Sequence, residues 1–177
     1  MEDLPTFYST LIPLAFFFWG PALVVLAFIL SWLWARRLRV DRALESDFNG
    51  FTREDVDKLF TLYGPERRAA YRNRLLPADL AFALVYAIIG ALIVAGLSMR
   101  GYPWWVAALC GGGWLFGGLC DVAENLAIAR LLDRYPTLDE GTVAFASGFA
   151  RLKLILTGLG FLGAIAAYYL AFKPVAV

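Results

Sequence analysis

The run PWWVAALCGGGWLFGGLCDVAEN (residues 103–125) decides the fold. From Pro103 to Cys120 it carries no charge, close to the ~20 apolar residues a helix needs to cross hydrocarbon. Asp121, Glu124 and Asn125 follow at helical spacing. At about 100° per residue, Cys110, Gly113, Gly117, Asp121, Glu124 and Asn125 share one broad face. Small residues let helix backbones approach one another in a membrane. Carboxylates that continue such a ladder therefore point toward neighbouring helices and away from lipid.

The rest of the chain agrees. Of 177 residues, 60% are hydrophobic, 16% aromatic and 18% charged, against about 25% charged in ordinary soluble domains. That excludes a soluble globular domain, a disordered tail and a coiled coil. Histidine is absent, which removes imidazole ligation of haem or zinc and histidine proton relays. Cys110 and Cys120 lie about 15 Å apart on a helix, too far for a mutual disulfide. A net charge of +1 suggests no nucleic-acid partner, and no motif calls for a cofactor or a resident metal.

Four segments reach spanning length, giving an all-α integral membrane bundle in a single domain. They cover about 11–35 (interrupted by Pro13 and Gly20-Pro21), 78–98, 103–122 with a helical extension to 135, and 143–172. The first does not read as a cleaved signal, because its start is acidic and its apolar run too long. Fourteen Lys and Arg residues fall on one side of this arrangement, from Arg36, Arg37, Arg39 and Arg42 through Arg130, Arg134, Arg151 and Lys153. Only Arg100 and Lys173 fall on the other. The fourteen-charge side is therefore expected to be cytoplasmic, with both termini opposite. Trp32 and Trp34 fit the inner aromatic belt, and Tyr102, Trp104, Trp105, Tyr168 and Tyr169 the outer one.

Residues 36–77 form the one sizeable polar insert. Thr52-Arg53-Glu54-Asp55 has the form of a capping box, so a short helix starts there with Val56, Leu59, Phe60 and Tyr63 on its apolar face. Gly64-Pro65 ends it, and Glu66 to Leu76 reads as a second helix, completing a hairpin. About forty residues cannot bury their own core, so the hairpin must lie on the bundle or the bilayer. Its arginines enforce topology, and they also suit anionic headgroups at about 1 kcal/mol each.

On the fourth span, Ala146, Ala150, Lys153, Thr157, Gly160, Ala164 and Ala167 recur at alternating spacings of four and three. Lys153 sits on that small face. Arg151 is about 200° away, beside Ser147 and Gly158, free to snorkel. On the second span Asp79, Phe82, Ala83, Tyr86 and Gly90 share a face. One polar constellation in the cytoplasmic leaflet follows: Asp79, Tyr86, Asp121, Glu124, Asn125 and Lys153, with Arg72 and Tyr71 as contributors from the insert. Ionisable groups inside a membrane are costly and are candidate functional sites by default.

Each has a plainer explanation. Asp79 follows Pro77 in a helix's first turn, where a carboxylate meets free N–H groups and the positive dipole end. Asp121 and Glu124 pair with Lys153 to fix register, a pair that adds little net stability. Asn125 is an interhelical hydrogen-bonding residue. The expected function is a pocket that binds a lipid or amphiphile, or a scaffold. The alternatives are a lipid-modifying enzyme using Asp/Glu acid–base or Mg²⁺-assisted chemistry, and a small proton- or cation-coupled transporter. The Gly/Ala faces also suit contact with a second copy of the chain.

The stretch Tyr63-Gly64-Pro65-Glu66-Arg67-Arg68-Ala69-Ala70-Tyr71, then Asp79, Phe82 and Tyr86, then Asp121-Val122-Ala123-Glu124-Asn125, resembles small four-span bacterial inner-membrane proteins. Those proteins carry Gly-x-x-(Gly/Arg)-Arg-x-x-Tyr before the second span and Asp-x-x-Glu-Asn in the third. The resemblance covers roughly residues 50–155. Arg67 departs from the glycine expected there. It implies a bacterial inner-membrane setting and the same polar residues, and it supplies no reaction.

Overall fold

Thr52 opens the first described helix, α1 (Arg53–Ala70), through a reciprocal cap. Its hydroxyl accepts from the Asp55 N–H at 3.3 Å, and Asp55 Oδ2 accepts from the Thr52 N–H at 2.8 Å. This computed structural model describes residues 49–171 together with Ile29 and Leu33. The expected first span, with Pro13, Gly20-Pro21, Trp32 and Trp34, lies outside the described residues apart from Ile29 and Leu33, which are helical. So do Arg36, Arg37, Arg39, Arg42 and Lys173.

Within α1 the backbone breaks at Gly64 (φ 63°, ψ 177°), a conformation open to glycine and costly for other residues. Pro65 follows, where its missing N–H falls in the first turn of the renewed helix. The chain then differs from the expected hairpin. Helix continues through a π-helical turn (Tyr71–Leu75) directly into α2 (Leu76–Met99). No helix boundary forms before Pro77, because Pro77 sits in the first turn of α2, just past the π turn. A widened turn already forgoes the regular i→i+4 bonds that a proline ring would break.

After α2, Gly101 (φ 83°) reverses the chain, and the Tyr102 hydroxyl donates to the Leu170 carbonyl at 2.8 Å. The helix α3 (Trp104–Arg134) then runs unbroken through Gly111-Gly112-Gly113 and Gly117-Gly118. Asp139 caps the start of α4 (Glu140–Ala171), accepting from the Thr142 N–H at 2.8 Å. The described residues are thus all-helical, without strands. Three helical stretches, Arg53–Met99, Trp104–Arg134 and Glu140–Ala171, are long and apolar enough to cross a membrane.

The helix α3 lies between α2 and α4, which scarcely touch each other. Glycine makes both seams. A Cβ on Gly90 would meet the Leu115 N and the Gly111 carbonyl oxygen, and one on Gly118 would meet Ala87 and the Ala83 carbonyl. On the other flank, Gly113 faces the Gly160 backbone and Gly163 the Cys110 carbonyl. Such approach maximises dispersion contacts where no hydrophobic force separates helix from lipid.

Two apolar cores result. One, at the arginine-rich end, joins Phe60, Tyr63 and Tyr71 to Ile128, Leu131, Val143, Ala146 and Ala150. The other, toward Gly101, joins Tyr86, Ile93 and Leu97 to Cys110, Trp114 and Ala167. Residues 121–125 of α3 lie between these two cores.

Candidate functional site

Asp121, Glu124 and Asn125 leave α3 toward its neighbours because they continue the face that carries Gly113 and Gly117. They are 4%, 0% and 3% exposed, and Lys153 of α4 is 8% exposed. The lysine ammonium sits 2.9 Å from Asp121 Oδ1 and 2.6 Å from Glu124 Oε2. It reaches them because Ala146, Ala150 and Gly160 on the same face of α4 are buried and small.

The helix α2 completes the cluster. The Tyr86 hydroxyl stands 2.8 Å from Asp121 Oδ2 and 3.2 Å from the Gly117 carbonyl, in line to donate to either. The Asn125 amide nitrogen donates to Asp79 Oδ2 at 2.9 Å and to Asp121 Oδ1 at 3.2 Å. Asp79, in the first turn of α2, is half-buried and forms the rim of the cluster. Asp121 thus receives three donors, from α2, α3 and α4.

Two features of this arrangement are chemically informative. Two carboxylates, Asp121 and Glu124, meet the Lys153 amine, and a third, Asp79, joins them through the Asn125 amide. If all ionised, the cluster would carry an excess of two negative charges in a low-dielectric setting. Such an excess is costly unless a proton or a cation offsets it. Secondly, the Asn125 carbonyl oxygen is buried and meets no hydrogen-bond donor. The amide cannot gain by turning over, because its nitrogen faces two acceptor-only carboxylates.

Arg72 is not brought into the cluster by its recorded contacts. Its guanidinium makes a two-pronged pair with Asp133 at 2.9 and 3.1 Å, at the partly exposed end of the molecule. That pair holds the Asp133 carboxyl below, and the Arg72 guanidinium above, its ordinary range. Tyr71 is fully buried in the arginine-end core, edge-on to Tyr63 at 6.2 Å between ring centroids. The hydrogen bonds and ion pairs above join Asp79, Tyr86, Asp121, Glu124, Asn125 and Lys153.

Other contacts carry no mark in the sequence. Phe51 donates its N–H to Ser147 Oγ at 2.9 Å, so the insert covers a face of α4 expected to be open beside Arg151. Arg68 donates to the Phe60 carbonyl at 2.7 Å and lies over the Tyr135 ring at 4.4 Å. Residues far apart in sequence meet here without any spacing pattern. An aromatic and an arginine near two helix ends were the sole cue. Among the described residues, no three His, Cys, Asp or Glu side chains are placed to hold a metal ion. No protein-family profile, curated protein or solved structure matches the chain.

Proposed function

We propose that this is a four-span protein of a bacterial inner membrane, with residues 36–77 on the cytoplasmic side, and that its buried cluster binds the cationic end of a lipid or amphiphile. The observation that carries the reading is the burial of Asp121 and Glu124 on the Lys153 amine, with Asp79 joined to them through the Asn125 amide. A ligand ammonium offsets the surplus charge, and the half-buried Asp79 gives it a point of entry at the arginine-rich end. The two terminal segments then lie on the opposite side, following the distribution of Lys and Arg. Gly/Ala faces left outside the two seams would serve contact between copies of the chain.

The test is native mass spectrometry of the full chain released from gentle detergent. A retained lipid or amphiphile with a cationic head, lost in Asp121→Asn and Glu124→Gln, supports the reading. Equal retention of neutral and anionic lipids by all three proteins rejects it. Mg²⁺-assisted lipid chemistry has no support from the donor geometry. A second reading, a small proton- or cation-coupled transporter, draws on the complete burial of Glu124 beside Lys153. It requires a proton or cation flux into liposomes that Glu124→Gln abolishes.

A further inference from the structure

The geometry points to a ligand of one narrower class: a primary ammonium, as on an aminophospholipid headgroup, and not a quaternary one. This rests on the cationic-ligand reading above and adds to it which cation is accepted. The inference comes from Asn125. Its carbonyl oxygen is buried and has no donor, on a side chain 3% exposed whose nitrogen bonds Asp79 and Asp121. A cationic nitrogen that offsets the charge and also satisfies this oxygen must bring an N–H. A trimethylammonium has none, so it would leave the buried acceptor unpaired and the carboxylates without directed hydrogen bonds.

The surrounding chemistry agrees. Lys153 is itself a primary ammonium lying 2.6 and 2.9 Å from two of these carboxylates, so the oxygens are already spaced for R–NH₃⁺. Quaternary ammonium sites use several aromatic faces. Here the aromatic residue at the cluster is Tyr86, its hydroxyl turned to Asp121 and the Gly117 carbonyl and its ring tilted against Phe82 at 5.3 Å.

The full chain in mixed micelles would be offered four probes with identical acyl chains: phosphatidylethanolamine, its N-methyl and N,N-dimethyl forms, and phosphatidylcholine. Phosphatidylglycerol serves as the anionic control, and native mass spectrometry reads retention. We expect phosphatidylethanolamine to be retained about tenfold over phosphatidylcholine, stepping down with each N–H removed. Asn125→Ala should bring the series close to parity, and Glu124→Gln should lower retention of every member. If phosphatidylcholine is held as well as phosphatidylethanolamine and both are lost in Glu124→Gln, the site binds cations but the ammonium inference is wrong. If no member exceeds phosphatidylglycerol, the cationic reading falls with it. Should Asn125→Ala fail to fold, the methylation series on the unaltered protein decides alone.

Discussion

Lys153 holds two buried carboxylates at once, so its loss is felt differently from theirs. Lys153→Met would leave Asp121 and Glu124 facing each other without their cation, at a cost of about 3–5 kcal/mol. The triple change Lys153→Met, Asp121→Asn, Glu124→Gln removes the charges together and should regain most of that loss. Thermal unfolding in detergent, run on both variants, distinguishes an ion pair kept for stability from one kept for binding. Thr52 and Asp55 offer a second, exposed case. Thr52→Ala removes a helix cap worth about 1 kcal/mol. Hydrogen bonds from Thr52 hold the Asp55 carboxyl below its usual range. Its folded value being the lower one, the cap's contribution is complete above about pH 3.9 and is lost as pH falls through the folded value. Amide protection at residues 53–57, measured against the intrinsic exchange rate at each pH, should therefore fall in acid in the parent protein, and Thr52→Ala should flatten that dependence.

Among the elements, α3 owes its place to residues without side chains. Gly111 faces the Gly90 carbonyl and the Val94 backbone N–H, atoms that cannot move aside as a flexible side chain would. Gly111→Val should therefore cost more than the usual 1–3 kcal/mol of overpacking, whereas Gly158→Val, with open space at its Cβ, should be tolerated. Comparing their melting temperatures checks the contrast. The same ladder explains why much of the site was legible. Asp121, Glu124 and Lys153 fall on the small-residue faces by simple 100° projection, and those faces are the ones that pack. The place of Arg72, which pairs with Asp133, was harder to read, because the π turn lies between α1 and α2. That turn shifts the helical register by about one residue, or ~100°. Nor was the continuity of helix past Pro77 readable, since a proline there serves equally as a start signal.

At the scale of the molecule, two apolar cores are separated by a polar layer, and the arginines collect at one end. The four-span reading predicts that a probe confined to one side of a sealed vesicle labels Lys58→Cys and not Met99→Cys, with the reverse from the other side. Both positions are exposed, while Cys110 and Cys120 are buried and contribute little background. Labelling of both from one side would refute the arrangement. The π turn at Tyr71–Leu75 bears on the whole molecule as well. Its extra residue sets how far the α1 end is swivelled relative to the glycine-packed helices. Deleting Asn73 should let the segment close into ordinary α-helix, rotating everything before it by about a quarter turn. Tyr63 and Tyr71 would swing out of their core, Arg72 would leave Asp133, and the glycine seams beyond Leu76 would stay as they are. The protein would then keep its bundle while protease nicked the loosened arginine-rich end, as though that end were bolted on at an angle that one residue sets.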